Sequence, residues 1–318
     1  MCGIVGIFDR KGRRTIDRAL LLGMNDSVAH RGPDADCLHI EPGLGLGHRR
    51  LAIIDIASGQ QPLFSEDGNL VIVFNGEIYN FQQLRKELQG CGHRFKTHSD
   101  TEVIVYAWAQ WGESCVNHLN GMFAFAIWDR TAETLFLARD RLGIKPLYYA
   151  ELADGTIIFG SELKALLLHP MLSRDVDPSA VEDYFTFGYV PDPKTILRQA
   201  RKLEPGNTLT LRRGHGVPDQ RRYWDLSFAP VNAVTEAEIR DELIARMRES
   251  VKKRLVAEVP LGAFLSGGVD SSGIVAMMQG LSDDPVNTCS ISFGDPKFNE
   301  AQYASEVAAR YGTNHTVE

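Results

Sequence analysis

The chain has 318 residues, a formal net charge of −7 and a sequence pI of about 5.8. This length favours about two domains, and a content of 44% hydrophobic and 24% charged residues is ordinary for proteins that build a buried core. The acidic charge balance argues against a general surface for nucleic acids or anionic membranes.

Cysteine usage and the first residues indicate the compartment. The five cysteines are scattered and lack CxxC spacing, which fits neither a disulfide framework nor a zinc site. The chain does not open with a basic segment followed by a long apolar one, as a signal peptide would. No stretch approaches the roughly 20 apolar residues of a membrane span. We therefore expect a cytoplasmic protein without nucleic-acid or membrane partners.

The first half of the sequence predicts a mixed α+β fold. Residues 3–8 alternate and are β-branched, as in a strand, and residues 16–29 repeat apolar positions at helical spacing. The other predicted strands are short and favour antiparallel pairing; they span 36–41, 44–48, 51–55, 70–74, 122–128, 135–138, 146–150 and 157–160. The other predicted helices span 80–89, 101–111 and 161–168.

The pattern changes after about residue 170. Residues 188–235 are rich in Pro, Arg and Gly and predict an extended connection with a short strand at 207–212. The remainder alternates strands and helices, which predicts a parallel sheet with helical crossovers. Its predicted elements are helix 236–256, strand 259–265, loop 266–272, helix 273–280, strand 286–293 and helix 299–311.

A third strand of this parallel sheet begins near His315, close to the end of the sequence. An unfinished sheet exposes an apolar edge, so we expect the second domain to be truncated. The predicted domains are residues 2–187, a connecting segment at 188–235, and residues 236–318.

Cys2 becomes the first residue if the initiator Met1 is removed. It then carries a thiol and a free α-amine, and such an amine can act as general base for the side chain beside it. The reference pKa is about 7.7–8.0 for the amine and about 8.5 for the thiol, so part of the amine is unprotonated near neutral pH. The alternative is that Cys2 simply begins a buried strand as a small hydrophobe.

Three further features are typical of a site for an amino acid. Asn75 and Gly76 end the apolar strand 70–74 and offer a side-chain amide and an unobstructed N–H, as in an oxyanion hole, or form a plain Asn-Gly hairpin turn. Arg50 offers a clamp for a carboxylate, unless it is a solvated surface arginine. Asp100 offers a partner for an ammonium group, or acts as the N-cap of the helix that follows, or both.

The loop 265–272 lies between a predicted strand and a predicted helix. Its two glycines let backbone amides approach a ligand, and the helix N-terminus adds to a phosphate site. Asp270 suits a carboxylate that helps to hold Mg²⁺ near a pyrophosphate. The alternative is a small-residue turn. The loop lacks the lysine of a G-x-x-x-x-G-K-[ST] motif, which disfavours transfer of a γ-phosphate.

Taken together, these strings resemble the glutamine-dependent asparagine synthetase family. Its amidotransferase half is an N-terminal-nucleophile hydrolase, or class II glutamine amidotransferase, and the string SGGVDSS resembles the pyrophosphate loop of ATP pyrophosphatases. The matching strings occur in the family's order at residues 1–4, 30–34, 48–51, 61–63, 74–80, 99–102, 121–125, 139–143, 160–165 and 260–272. Residues 185–193 and 286–300 are similar to relatives associated with bacterial exopolysaccharide and exosortase systems.

The resemblance implies a fold and a set of roles. The fold is an α+β N-terminal-nucleophile hydrolase sandwich, with antiparallel sheets layered with helices, followed by the start of an α/β parallel-sheet ATP pyrophosphatase domain. Cys2 attacks the glutamine amide, and Asn75 and Gly76 stabilise the oxyanion. The implied glutamine-binding residues are Arg50, Leu51, Ala52, Ile53, Ile54, Asn75, Gly76, Glu77 and Asp100. The implied ATP-binding residues are Leu265, Ser266, Gly267, Gly268, Val269, Asp270, Ser271, Ser272 and Phe293.

The resemblance also implies a reaction. Glutamine is hydrolysed to glutamate and ammonia, which passes through an internal tunnel to the second domain. ATP with Mg²⁺, and without a tightly bound metal, adenylates aspartate there, and ammonia displaces AMP to give asparagine and pyrophosphate. Because family members continue beyond residue 318, we expect these residues alone not to make asparagine. Two alternatives stay open: an acceptor of ammonia other than aspartate, in exopolysaccharide or exosortase pathways, and a non-enzymatic binding module. A homodimer also stays open.

Overall fold

A computed structural model describes residues 1–215, 218–229, 234–295 and 297–318, and the chain forms two compact units, Met1–Ser227 and Phe228–Glu318. Unit 1 contains twelve strands and five α-helices among its described residues. The strands are β1 (Gly3–Asp9), β2 (Ala35–Glu41), β3 (Leu44–Arg50), β4 (Leu63–Phe64), β5 (Leu70–Ile78), β6 (Gly121–Asp129), β7 (Thr134–Arg139), β8 (Tyr148–Glu151), β9 (Thr156–Gly160), β10 (Ala200–Lys202), β11 (Asn207–Arg212) and β12 (Asp219–Arg222). The helices are α1 (Arg18–Asp26), α2 (Phe81–Gly90), α3 (Asp100–Trp111), α4 (Leu163–Leu166) and α5 (Pro178–Phe187).

The strands of unit 1 form two six-stranded sheets. The first sheet has the order β10-β8-β9-β1-β3-β2 and the second has the order β12-β11-β7-β6-β5-β4. Each strand pairing that the structure describes in these two sheets is antiparallel, as the short alternating strands predicted. Side chains alternate between the two faces of a strand, so each sheet contributes one face to the space between the sheets and one to the outside.

Three cores follow from this alternation. Ile4 and Phe8 of β1 pack against Val71 and Val73 of β5 between the two sheets. On the outer face of the second sheet, Phe74 and its neighbours pack against α2 and α3. On the outer face of the first sheet, β1 packs against α1 and α4. Unit 1 is therefore a four-layered sandwich of helices, two antiparallel sheets and helices, as expected.

Two local predictions in unit 1 are wrong. Residues 51–55 form a loop rather than a strand, because the guanidinium of Arg50 binds the carbonyl oxygens of Ile54, Asp55 and Ile56 and bends the chain around itself. The strand predicted at 70–74 continues to Ile78, because its last residues pair in register with β6.

The segment predicted as a connection, residues 188–235, contributes β10, β11 and β12 to the sheets of unit 1. Leu209 and Leu211 alternate toward the core between the sheets, which ties β11 to β7. Only the strand at 207–212 was expected there. The helix α5, which ends just before this segment, was not predicted either. Residues 216–217 and 230–233 of this segment lie outside the described residues.

Unit 2 contains a three-stranded parallel sheet in the order β13 (Gly262–Phe264), β14 (Asn287–Ser290) and β15 (Asn314–Val317). Its helices are α6 (Glu236–Arg254), α7 (Val269–Gln279) and α8 (Ala301–Tyr311). The parallel pairing with helical crossovers is as predicted. In the part of the chain that the structure describes, no helix combines the length and apolar character needed to cross a bilayer.

Candidate active site

The residues predicted to bind or cleave glutamine come from four elements that meet at one pocket of unit 1. Cys2 directly precedes β1, Arg50 ends β3, Asn75 and Gly76 lie within β5, and Asp100 begins α3. Leu51, Ile53, Ile54 and Glu77 also line this pocket, together with Met1, Gly59, Gln61, Phe74, Ser99, Thr101, Met122 and Lys145. Ala52 is not among the lining residues; its N–H donates to Asp34 Oδ2 at 2.8 Å.

Cys2 is held at the pocket through its side chain and its carbonyl oxygen. Its Sγ lies 3.4 Å from the N–H of Leu51, which donates to it. Its carbonyl oxygen accepts a hydrogen bond from Arg31 Nε at 2.9 Å, and the Arg31 guanidinium forms an ion pair with Glu162 at 3.0 Å. Burial raises the pKa of the Cys2 thiol and lowers the pKa of the α-amine carried by Met1. The α-amine of Cys2 itself becomes free only once Met1 is removed.

Asn75 is the most unusual polar residue of the pocket. Its side chain is fully buried, and neither Nδ2 nor Oδ1 has a hydrogen-bond partner among the described residues. Leaving a buried polar group unpaired costs about 1–3 kcal/mol, and such groups are rare in folded proteins. A ligand that accepts a hydrogen bond from Nδ2 would satisfy this amide.

The interpretation of Asn75 and Gly76 as a hairpin turn is wrong. Both residues lie inside β5, opposite Ala124 and Phe123 of β6. A Cβ atom on Gly76 would lie 2.1 Å from the carbonyl oxygen of Met122, so only glycine fits this position without a shift of the backbone. The glycine thus serves close packing of the strand rather than a turn.

The N–H of Gly76 points to the open edge of β5. Along one edge of an antiparallel strand, N–H groups recur at every second residue. On this edge the Phe74 N–H donates to Gln61 Oε1 at 2.7 Å, and the Ile78 N–H donates to Asp100 Oδ2 at 2.9 Å. The alternation places the Gly76 N–H between them, at the pocket. Its position matches the role expected of an oxyanion donor.

Asp100 is a buried carboxyl group near the same edge. Burial, together with the nearby charge of Glu77, raises its pKa to about 7, against the lowering effect of the hydrogen bond from Ile78 N–H. The prediction that Asp100 caps its helix is wrong, because Ser99 is the N-cap and its hydroxyl accepts from Thr101 N–H at 3.1 Å. Asp100 thus lines the pocket, with one carboxyl oxygen bonded to the edge of β5.

Arg50 shapes the wall of the pocket. Its terminal nitrogens donate to the carbonyl oxygens of Ile56 at 3.0 Å, Asp55 at 2.6 Å and Ile54 at 3.3 Å. The arginine is buried rather than solvated, so the surface interpretation is wrong. These bonds fix the loop after β3, and the clamp on a substrate carboxylate remains a prediction.

Several lining residues were not predicted. Gln61 and Lys145 are buried polar residues of the pocket, and burial lowers the pKa of Lys145. Gln61 belongs to one of the strings that carry the family resemblance, and Lys145 follows another by two residues, so those strings were the available signal. Polarity alone gives no sign that a given glutamine or lysine is buried.

The second predicted site lies in unit 2. Leu265, Ser266, Ser271 and Phe293 line one cavity of this unit, whereas Gly267, Gly268, Val269, Asp270 and Ser272 are not among its lining residues. Helix α7 begins at Val269 rather than at residue 273, because Gly268 is extended and its carbonyl oxygen accepts from Ser272 N–H at 3.0 Å. The predicted loop is thus partly the first turn of a helix.

The start of α7 suits a phosphate group. The N-cap Gly268 provides no side-chain cap for the first amides of the helix. Gly267 has a φ of +80°, and a Cβ atom there would lie 2.5 Å from Tyr303 Cβ, so glycine is required. The hydroxyls of Ser266 and Ser271 lie 2.9 Å apart beside these amides. Within the described ranges, no three His, Cys, Asp or Glu side chains cluster as a metal site.

Comparisons with known proteins match the two parts of the chain to two different families. Residues 1–224 match the family described as glutamine amidotransferase domain, and residues 242–318 match asparagine synthase. Asparagine synthetase [glutamine-hydrolyzing] 1 of Bacillus subtilis is 40% identical over 98% of this chain and 49% of its own length. Putative asparagine synthetase [glutamine-hydrolyzing] 2 of Methanocaldococcus jannaschii is 35% identical over 99% of this chain and 64% of its own length.

The fold is also found among solved structures. Glutamine phosphoribosylpyrophosphate amidotransferase from B. subtilis, complexed with ADP and GMP, aligns with a TM-score of 0.50 and 18% identity over 99% of this chain and 65% of that chain. This likeness confirms the predicted fold class. The chain spans about half the length of the first B. subtilis relative. The chain belongs to the glutamine amidotransferase domain family, and a segment of the asparagine synthase family follows that domain.

Proposed function

We propose that unit 1 hydrolyses glutamine with Cys2 as nucleophile. The observation that carries this proposal is the fully buried Asn75 amide, which has no partner among the described residues and lies in the same pocket as Cys2, Gly76 and Asp100. Such an amide fits an oxyanion that exists only during the reaction. Asp100 suits the substrate ammonium group, and the pocket wall around Arg50 suits its carboxylate.

The groups present account for each proton of the reaction. Cys2 Sγ attacks the carbon of the side-chain amide, and its proton passes to the free α-amine of Cys2 once Met1 is absent. The resulting oxyanion accepts hydrogen bonds from Asn75 Nδ2 and from the N–H of Gly76. The protonated α-amine then gives its proton to the leaving nitrogen, the C–N bond breaks, and ammonia departs from a thioester. Water attacks the thioester to release glutamate and restore the thiol.

We further propose that the whole protein uses this ammonia to convert aspartate to asparagine. The match of residues 242–318 and the names of the similar proteins support this acceptor over the alternative of an exopolysaccharide-linked substrate. In the proposed step, the aspartate side-chain carboxylate attacks the α-phosphorus of ATP and pyrophosphate leaves. Ammonia then displaces AMP to form the amide. The exposed amides at the start of α7 would hold the pyrophosphate.

Three finer features are part of the same proposal. When Mg²⁺ is bound, it neutralises charge on the phosphates of ATP, and Asp270 in the first turn of α7 would help to hold it. We place the protein in the cytoplasm, because its five cysteines are free. A homodimer remains a prediction.

Release of glutamate and ammonia from glutamine by the purified chain tests the proposal. The chain should release both in equal amounts, and Cys2→Ala should release neither. Unchanged release by Cys2→Ala would remove Cys2 from the mechanism. Intact mass establishes whether Met1 has been removed in the protein tested.

A further inference from the structure

His48 is a buried residue whose ring forms a hydrogen bond with the backbone of β5. Its Nε2 lies 3.1 Å from the carbonyl oxygen of Phe74. A carbonyl oxygen can only accept, so Nε2 carries the hydrogen and donates. Burial lowers the pKa of His48 to about 4, which keeps the ring neutral at pH 7. The ring is therefore a fixed, uncharged donor rather than a proton carrier.

This hydrogen bond joins the two sheets of unit 1 at the active site. His48 lies in β3 of the first sheet, opposite Ile4 of β1, and Ile4 follows Cys2 by two residues. Phe74 lies in β5 of the second sheet and directly precedes Asn75. One bond thus connects β3, which pairs with the strand that follows the nucleophile, with β5, which carries the expected oxyanion donors.

Gln61 binds the backbone N–H of Phe74, the residue whose carbonyl oxygen accepts from His48. Its Oε1 accepts from the Phe74 N–H at 2.7 Å, and its Nε2 donates to Thr101 Oγ1 at 3.2 Å. Thr101 follows Asp100 in α3. Gln61 therefore links the edge of β5 to the helix that carries the expected ammonium partner.

The two side chains replace a strand at this edge. β4 pairs with β5 only at Val71 and Ile72. A longer β4 would satisfy Phe74 with backbone groups and would cover the N–H of Gly76 two residues further along. With His48 and Gln61 in that place, Phe74 is fully bonded while the edge at Gly76 stays open to the pocket.

We propose that His48, with Gln61, is a positioning residue that acts through Phe74 to hold Asn75 and Gly76 at the distance from Cys2 that oxyanion stabilisation needs. The inference rests on the proposed hydrolysis of glutamine. His48 is not among the residues that line the pocket, so it does not bind the substrate itself.

The test is His48→Leu in the full chain, assayed for glutamate release. Misplacement of the oxyanion donors should lower kcat by about 10²-fold or somewhat less. KM should stay within about twofold, because an interaction made only in the transition state affects kcat and not ground-state binding. His48→Gln retains an uncharged N–H donor and should restore most of the lost kcat.

A second readout separates positioning from general damage. Alkylation of Cys2 by iodoacetamide forms no oxyanion, so its rate, measured against the exposed Cys37 and Cys91, should not change in His48→Leu. The matched control is Leu46→Ala, another buried residue of β3, located in the core between the sheets. It should lower the melting temperature without lowering kcat.

Three results would overturn the inference. One is a folded His48→Leu variant with wild-type kcat. Another is a fall in the kcat of His48→Leu that comes with an equal fall in its Cys2 alkylation rate, or that is matched by a similar fall in the kcat of Leu46→Ala. If His48→Leu does not fold, Gln61→Met gives the same test, and wild-type kcat in that variant is the third. Absence of glutamate release by the wild-type chain would instead contradict the proposed function itself.

Discussion

The proposed glutamine pocket of unit 1 and the proposed phosphate-binding loop of unit 2 differ in how firmly the fold holds them. The pocket is built from buried residues of two sheets and a helix, among them Asn75 and Asp100. The loop follows β13 of a three-stranded sheet; Phe264, just before it, is 79% exposed, and Val269, within it, is 89% exposed. The buried groups of the pocket have fixed positions, so predictions can be made about its chemistry, whereas the exposed loop supports predictions about binding only.

The largest effect expected in the pocket follows from removal of the nucleophile. Cys2→Ala should lower glutamate release by at least about 10⁴-fold, because no other group of the pocket replaces a lost covalent step. Cys115→Ala is the control, since this buried cysteine lies in the core under α3 and should leave kcat unchanged. Residual activity within tenfold of wild type would place the chemistry elsewhere.

Removal of one oxyanion donor should have the next largest effect. Asn75→Ala should lower kcat by about 10²–10³-fold with little change in KM. Thr210→Val is a matched control, because Thr210 Oγ1 is also buried without a partner among the described residues but lies in β11. A loss of kcat similar in both variants would show that the effect comes from packing.

Asp100 predicts a pH dependence. The carboxyl group, whose pKa is about 7, must lose its proton to attract an ammonium group, so KM for glutamine should rise as the pH falls below 7. Asp100→Asn should raise KM by about 10²-fold and remove this dependence. Glu102→Gln is the control, because Glu102 lies in the same helix turn but accepts from Lys96 and Thr97 N–H groups.

The same pKa has a consequence for stability. The unfolded chain releases the Asp100 proton near pH 4 and the folded chain near pH 7, so the folded state binds more protons between these values. The free energy of unfolding should therefore decrease as the pH rises through this window. Asp100→Asn should flatten that slope in urea unfolding between pH 5 and pH 7.5. An unaltered slope would contradict the raised pKa.

The smallest effect is expected in unit 2. Gly267→Ala should weaken binding of pyrophosphate by about tenfold, since a strained backbone at this position shifts the amides at the start of α7. Gly273→Ala is the control, because a Cβ atom there meets nothing within 4 Å. Glutamate release should be the same in both variants. Equal affinity in both would leave the loop without support as a phosphate site.

Sequence patterns predicted the antiparallel sheets of unit 1 and the parallel sheet of unit 2, and the family resemblance implied about half of the residues that line the pocket. Alternation and helical spacing arise from residues that are near each other in the sequence, so the sequence pattern shows them directly. The loop at 51–55 was read as a strand, because an apolar run does not show that Arg50 will bind its carbonyl oxygens. The roles of His48 and Gln61 arise from contacts between distant segments, and such contacts leave no local signal.

The central claim is that Cys2 acts as a nucleophile with its own α-amine as base. The most direct test uses the chain with a removable N-terminal extension whose cleavage leaves Cys2 as the first residue, with glutamate release measured before and after cleavage. Cleavage should raise kcat by about 10³-fold or more, because it creates the base. Equal activity before and after cleavage would contradict the account.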